Sequence, residues 1–214
     1  MDKKTFVREI LVEQLKAKTV VVGYNYHFGK GAEGKSGDIV QLGVVYGFSG
    51  LVVPAFRLGD HVVSSSLIRH LISSGKMTEA AELMGHPYTI TGTVVHGQGL
   101  GKTLGFPTAN LETDGDKLLP KSGVYSIVGE VHGLEYMGFC NVGYQPTFRT
   151  RTKKLVVEAH FFGFDGDIYG ESIRISFVEF LRPVKRFDSV EQLVEELHVD
   201  KEQAVRSIEK KSFS

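Results

Sequence analysis

KLVVEAHFFGF, residues 154–164, has the period of a strand. Leu155, Val157, Ala159 and Phe161 fall on one face of an alternating segment, and Val156, Glu158, His160 and Phe162 on the other. The second face sets a carboxylate and an imidazole among apolar groups. Two readings of Glu158 are open from this pattern: a half-buried site, or a mixed outer surface.

The same pattern extends in both directions. YTITGTVVHG (88–97), SGVYSIVGEVHG (122–133), LEYMGFCNVG (134–143) and ESIRISFVEFLRP (171–183) are β-branched and aromatic runs broken by glycine. Their spacing predicts an antiparallel barrel or sandwich. The end turns helical. Ser189 with Gln192 makes a capping box before VEQLVEEL, and Asp200 with Gln203 predicts a second, short helix.

Before His86-Pro87 the pattern is different. FVREILVEQL places Phe6, Ile10, Leu11 and Leu15 at helical spacing. TVVVG (19–23) and GLVVPAF (50–56) read as buried parallel strands, with a helix from Ile39 to about Tyr46 between them. VVSSSLIRHLISSG predicts a helix capped at Ser66 or a neighbour and stopping near Gly75, and TEAAELMG a last one ending at Gly85. Alternating helices and strands imply part of an α/β layer, since two strands are few for a stable parallel sheet. The expected division is therefore residues 1–85, an α/β segment, and residues 86–214, a β-domain with C-terminal helices.

Composition bounds the function. The chain is 42% hydrophobic and 23% charged, with 25 basic and 25 acidic residues. A formally neutral protein lacks the electrostatic footprint of a general nucleic-acid binder. The basic run RTRTKK (149–154) sits between strands and reads as a solvated loop. The one cysteine, Cys140, can form no internal disulfide. Apolar runs are too short to cross a bilayer, and the N-terminus lacks the h-region of a signal peptide. The expectation is a cytoplasmic protein with no membrane or nucleic-acid partner.

The glycine-rich stretch HGQGLGKTLGFPTANL (96–111) is the other conspicuous feature. A Walker A loop needs glycine five places before the Gly-Lys pair, where His96 stands. A dinucleotide fingerprint needs two residues between its last glycines, whereas Gly99 and Gly101 are separated by one. Thr108 and Asn110 stand two apart, so in an extended segment both side chains point the same way. Neutral oxygens of this kind suit Mg²⁺ that also takes substrate phosphate ligands. They equally suit ST- or Asx-turns to local backbone.

GKTLGFPTANL resembles the signature of riboflavin kinases, in particular the kinase half of bacterial bifunctional riboflavin kinase/FMN adenylyltransferases (FAD synthetases). The likeness continues through SGVYSIVGEV, FCNVGYQPTF, VVEAHFFGFDGDIYGE and LRPVKRFDSVEQL, in the family's order, and covers residues 87–209. It implies a β-barrel that transfers the γ-phosphoryl group of ATP to the ribityl 5′-hydroxyl of riboflavin, giving FMN and ADP. It further implies that Gly97, Gly99 and Gly101 approach ATP phosphates, with Lys102 adding charge. Thr108 and Asn110 would hold Mg²⁺, and Glu158 would be the general base. Asn141 and Arg182 match segments near the flavin and its covering flap. The reading requires Thr108 and Glu158 to border one cavity across a small barrel.

The front half resembles the later part of the family's adenylyltransferase domain. Asn25 matches a nucleotide-contacting asparagine. VSSSLIR matches a Ser-Ser-Thr-x-Ile-Arg motif through Ser65, Ser66 and Arg69, with Ser66 where threonine is usual. The family's His-x-Gly-His signature occurs nowhere in these 214 residues. Either the chain is a fragment of a bifunctional enzyme, or it is a shortened form whose front half supports the kinase. In both cases adenylyl transfer is expected to be lost or incomplete, and apolar surface to be exposed, with a tendency to self-associate. The competing function is a flavin- or nucleotide-binding barrel without chemistry. Thr108 and Glu158 discriminate, since a binder needs neither a metal ligand nor a base.

Overall fold

The computed structural model describes residues 1–97, 99–146 and 153–212. Two compact units divide at Val63/Ser64. The change in sequence pattern falls later, at 85/86, because two helices of α/β-type sequence pack with the β-rich unit.

In the first unit, α1 (Lys3–Thr5) is capped by Asp2, whose carboxylate accepts the Lys4 and Thr5 N–H groups, and it runs on as a π-helical segment, Phe6–Gln14. β1 (Thr19–Gly23) is followed by the short pair β2 (His27–Phe28) and β3 (Gly34–Lys35). Asp38 then accepts the Lys35 N–H at 2.8 Å and starts α2 (Ser36–Tyr46), which Gly47 ends in the left-handed conformation. β4 (Ser49–Val53) pairs parallel with β1, and β5 (Arg57–Leu58) and β6 (His61–Val62) form a small hairpin.

The core of this unit is one cluster: Val7, Val22, Phe28, Ile39, Leu42 and Phe48. Gly50 lets β4 close on α2, since a Cβ there would meet the Ile39 carbonyl oxygen at 2.7 Å. The opposite face of the sheet is open. Val21, Leu51 and Val53 stand 59, 52 and 51% exposed. TVVVG and GLVVPAF thus pair in parallel as expected but are buried on one face only, because the helices that pack on them form a single layer.

The second unit begins with α3 (Ser65–Ser73) and α4 (Met77–Met84). The cap of α3 is Ser64, whose hydroxyl accepts the Leu67 N–H, and Gly75 turns the chain at φ +77°. Met77 on α4 is 1% exposed and lies in the core of the barrel that follows. That barrel is closed and antiparallel, in the order β10-β11-β8-β7-β12-β9. Its strands are β7 (Tyr88–Val95), β8 (Ala109–Thr113), β9 (Gly123–Val131), β10 (Leu134–Pro146), β11 (Lys153–Phe161) and β12 (Ser172–Arg182). A single turn of helix, α5 (Leu100–Thr103), lies between β7 and β8.

Inside the barrel, Ile90, Leu111, Tyr125, Cys140, Val142, Val157 and Phe177 are buried in one cluster. Closure removes sheet edges, so this unit needs no further strand. Burial pushes the Cys140 thiol far above its ordinary range. Cys140 is therefore expected to resist Ellman's reagent at neutral pH in the folded protein and to titrate fully in guanidinium. Rapid release of one equivalent of thionitrobenzoate without denaturant would contradict this packing.

The C-terminus is one helix, α6 (Val190–Ser212), not two. Its start keeps half of the capping box expected: the Ser189 hydroxyl accepts the Gln192 N–H, while the Gln192 side-chain oxygen accepts the N–H of Asp188, one residue before the cap. Asp200, expected to begin a new helix, lies in mid-helix. Its carboxylate faces a guanidinium on β12 instead of the backbone.

Candidate active site

The register of the barrel brings the chemistry-bearing residues into one line. Arg182 on β12 pairs with Val124, Val124 with Asn141, Asn141 with Glu158, Glu158 with Asn110, and Asn110 with Val95. Directly opposed residues in an antiparallel sheet point to the same face. Their neighbours Cys140, Ala159, Ala109 and Val157 fill the barrel, so this line faces outward. Val124 confirms the direction: it packs with Phe106, Phe139 and Ala204 of α6 outside the barrel. Of the two readings of Glu158, the half-buried one holds: the residue is partly exposed and borders a cavity that residues of α6 also line.

A cavity of about 300 Å³ opens between that face and α6. Glu158, Asn141, Arg182 and Thr108 border it, with Phe106, Phe139, Leu193 and Leu197 as apolar wall. Thr108 and Glu158 thus share a cavity, but beneath a helix outside the barrel, not across the barrel's packed interior. Asn141 contributes a buried Oδ1 that has no hydrogen-bond partner among the described residues. An orphan acceptor beside a cavity is the mark of a site shaped for a donor on a ligand.

A second cavity, of about 490 Å³, lies on the other side of Thr108. Lys102, Pro107 and Thr108 form one wall, and the loop Asp165 to Tyr169 another. Tyr169 stacks on His96, with ring centroids 3.9 Å apart. Both volumes fall within the range of about 300–1,000 Å³ common for small-molecule sites.

Gly97, Gly99 and Gly101 of the loop serve different needs. A Cβ on Gly97 would collide with the Asn110 carboxamide, and one on Gly101 with the Phe106 carbonyl oxygen and, at 3.2 Å, the Thr108 hydroxyl. Gly99 has φ +72° and open space around it, so its requirement is conformational. Two glycines therefore seat the two polar side chains of PTAN. Among the described residues no group of three His, Cys, Asp or Glu could hold a metal. The donors here are a hydroxyl, a carboxamide and one carboxylate. That hard-oxygen set fits a magnesium-like ion with substrate phosphates and does not fit zinc.

His160 shares the outward face of β11. It is 7% exposed, and Nδ1 lies 2.8 Å from the Pro107 carbonyl oxygen. Burial holds its pKa below the ordinary value, with Lys201 acting in the same direction and the Pro107 hydrogen bond against it. Arg182 borders the cavity as expected, but its guanidinium is engaged: Nε and Nη2 donate to Asp200 at 2.7 Å each, and Nε lies 3.1 Å from Glu196. Lys185 reaches the same Glu196 oxygen at 2.6 Å and holds that carboxyl below its ordinary pKa. Asp200 and Glu196 are partners that sequence spacing concealed, since Asp200 has the spacing of a helix start and Glu196 that of a polar position in VEQLVEEL. Of the remaining expected residues, Asn25 is exposed in the first unit; Ser65, Ser66 and Arg69 are exposed on α3 of the second.

Comparison with known proteins agrees with this fold. Residues 84–208 match the family model of riboflavin kinase, and residues 1–67 that of FAD synthetase. The chain is 37% identical to the bifunctional riboflavin kinase/FMN adenylyltransferase of Listeria monocytogenes, over 94% of this chain and 63% of that one. To the enzyme of the same description from Bacillus subtilis it is 33% identical, over 96% and 65%. To that of Escherichia coli K12 it is 34% identical, over 90% and 61%. It therefore spans under two thirds of these relatives' length. A solved structure described as a macrolide-efflux protein from Streptococcus pneumoniae superposes with a TM-score of 0.83 at 32% identity, over 94% of this chain and 64% of that one. No helix among the described residues is long and apolar enough to cross a membrane. With its closed six-stranded barrel and a family match over more than half its length, the chain belongs to the riboflavin kinase family.

Proposed function

We propose that this chain is a riboflavin kinase, using ATP to phosphorylate the ribityl 5′-hydroxyl of riboflavin. The observation that carries the reading is the meeting of two cavities at Thr108, with Glu158 bordering one of them. Phosphoryl transfer between two bound substrates needs this layout: two sites, one shared wall, and a proton acceptor beside the nucleophile. The cavity under α6, with its apolar wall and the orphan Asn141 acceptor, suits the flavin and its hydroxylated tail. The cavity beside Lys102 suits the triphosphate, whose charge the lysine offsets.

In the reaction Glu158 accepts the proton of the 5′-hydroxyl, whose oxygen bonds to the γ-phosphorus as the bond to the bridging β–γ oxygen breaks. ADP leaves. Gly97 and Gly101 keep Asn110 and Thr108 seated, while Gly99 gives the loop its left-handed turn. Magnesium, held through Thr108 and Asn110 and by phosphate oxygens, would neutralise the charge that develops on the transferred group. Arg182 acts here by fixing α6 as the cavity's roof, with the flavin-contacting part left to Asn141. We assign the kinase to residues 86–214 and the adenylyltransferase-like part to residues 1–85, and we place the protein in the cytoplasm.

Adenylyl transfer is a separate matter. Asn25, Ser65, Ser66 and Arg69 retain residue types of a nucleotide site, but no His-x-Gly-His is present in the 214 residues to grip triphosphate. Incubated with riboflavin and Mg-ATP, the pure chain is expected to yield FMN and no FAD, read by separating the flavin products. Absence of FMN would overturn the kinase assignment, and appearance of FAD the loss of the second activity.

The open apolar face of β1 and β4 supports self-association of this polypeptide in isolation. Sedimentation velocity is expected to show concentration-dependent mass that the double variant Leu51→Lys, Val53→Lys reduces. Monomer at every concentration in the parent chain would refute this.

A further inference from the structure

His160 is buried, polar, and outside the mechanism as described above, yet its ring reaches the carbonyl of Pro107, the residue before Thr108. We infer that His160 is a positioning residue for phosphoryl transfer, which orients Thr108 by anchoring the peptide group that precedes it. This rests on the kinase reading and adds to it a residue on the strand of the general base.

Pro107 offers only its carbonyl as a backbone hydrogen-bonding group. That carbonyl belongs to the same rigid plane as the Thr108 N–H. Fixing the oxygen therefore fixes the plane from which Thr108 departs. His160 Nδ1 does so at 2.8 Å, across 53 residues of sequence. To donate from Nδ1 while uncharged, the ring must carry its proton there and leave Nε2 as the acceptor.

The anchor itself is immobilised. Phe106, Phe139 and Phe162 surround the imidazole, with ring centroids 5.2, 5.3 and 5.7 Å away. Phe106 is the residue before Pro107, and Phe139 is the cross-strand partner of His160. The loop is thus held at two successive residues, one by packing and one by a hydrogen bond. The same strand carries Glu158 two residues earlier on the same outward face, about 7 Å along the strand. One rigid element consequently locates both the carboxylate and the threonine. The loop turns on Gly99 and Gly105, both at positive φ, and its own backbone bond from the Phe106 N–H to the Gly101 carbonyl stops one residue short of Pro107. Outer groups that orient a site's ligands change affinity or rate by roughly 10- to 100-fold when removed.

The experiment compares His160→Phe, which fills the aromatic cage without a donor, and His160→Asn, whose amide nitrogen can stand near the place of Nδ1. Three readouts are used: the ¹⁵N shifts of the His160 ring, Mg-ADP affinity by calorimetry, and kcat with KM for riboflavin. The wild-type ring is expected to show the Nδ1–H tautomer. His160→Phe should bind Mg-ADP roughly 10-fold more weakly and lose kcat by roughly 10- to 100-fold, with the riboflavin KM changed less than threefold. His160→Asn should recover most of both losses. An Nε2–H tautomer would overturn the proposal. So would wild-type Mg-ADP affinity in His160→Phe, or equal deficits in the Phe and Asn variants, which would reduce His160 to packing. The ring shifts and Mg-ADP affinity do not require turnover, so they judge this inference even if the chain makes no FMN.

Discussion

Glu158→Gln is expected to lower kcat by roughly 10²- to 10⁴-fold, the usual contribution of a positioned general base, while riboflavin still binds. The substitution keeps the volume and hydrogen-bonding reach of the side chain and removes its ability to take a proton. It stands half-buried on β11, between Asn141 on one neighbouring strand and Asn110 on the other. Neither neighbour can accept a proton at neutral pH, so no group in that register line replaces the lost base. Flavin binding depends on the walls under α6 and should survive, read as quenching of riboflavin fluorescence on titration with the variant. A variant with parental kcat would remove Glu158 from the chemistry. A variant that no longer binds riboflavin would make it a structural or binding group instead.

Local pattern in the sequence was enough to read the barrel strands that alternate, and β11 most clearly, because closure buries every second residue. It passed over β8. ANLET offers few β-branched residues, and its alternation shows only in Ala109 and Leu111, both buried. The parallel pair β1 and β4 was also legible, and exposed apolar surface was expected, but not which face of the sheet would carry it, since periodicity reports apolarity and not what covers it. Glu158, Asn110 and Asn141 were singled out separately: Glu158 by strand alternation, Asn110 by its spacing from Thr108, Asn141 by motif resemblance. That they occupy one register line follows from strand pairing, which sequence separations of 31 and 48 residues do not reveal. His160 shows in the sequence only as an imidazole among apolar groups, and its Pro107 contact depends on a tertiary approach. Asp200 was misread outright: Asp followed three residues later by Gln looks like a cap, and only the guanidinium opposite explains a buried carboxylate in mid-helix.

Asp200→Ala is accordingly expected to destabilise the second unit by about 3–5 kcal/mol. Arg182 is 13% exposed at its side chain and Asp200 1%, so the pair is shielded from solvent. Its two parallel hydrogen bonds of 2.7 Å make it bidentate. Removing the carboxylate leaves a guanidinium that cannot shed its proton in a place where water replaces little of the loss. Glu196 lies 3.1 Å away and offsets part of that charge, which sets the expectation nearer the lower figure. Lys185 competes for the same Glu196 oxygen and limits the offset. For a unit of this size the loss corresponds to a fall in melting temperature of roughly 10 °C. The damage should extend to the site, because α6 supplies Leu193 and Leu197 to the cavity wall and is tied to the barrel by this pair. Riboflavin affinity is therefore expected to fall with stability, while Cys140 inside the barrel stays unreactive below the transition. The double substitution Arg182→Leu, Asp200→Leu separates charge from anchoring: it removes the uncompensated ion and should recover most of the stability. Chemical denaturation of the three proteins measures both effects. A single variant as stable as its parent would mean that the helix is held by its apolar face alone.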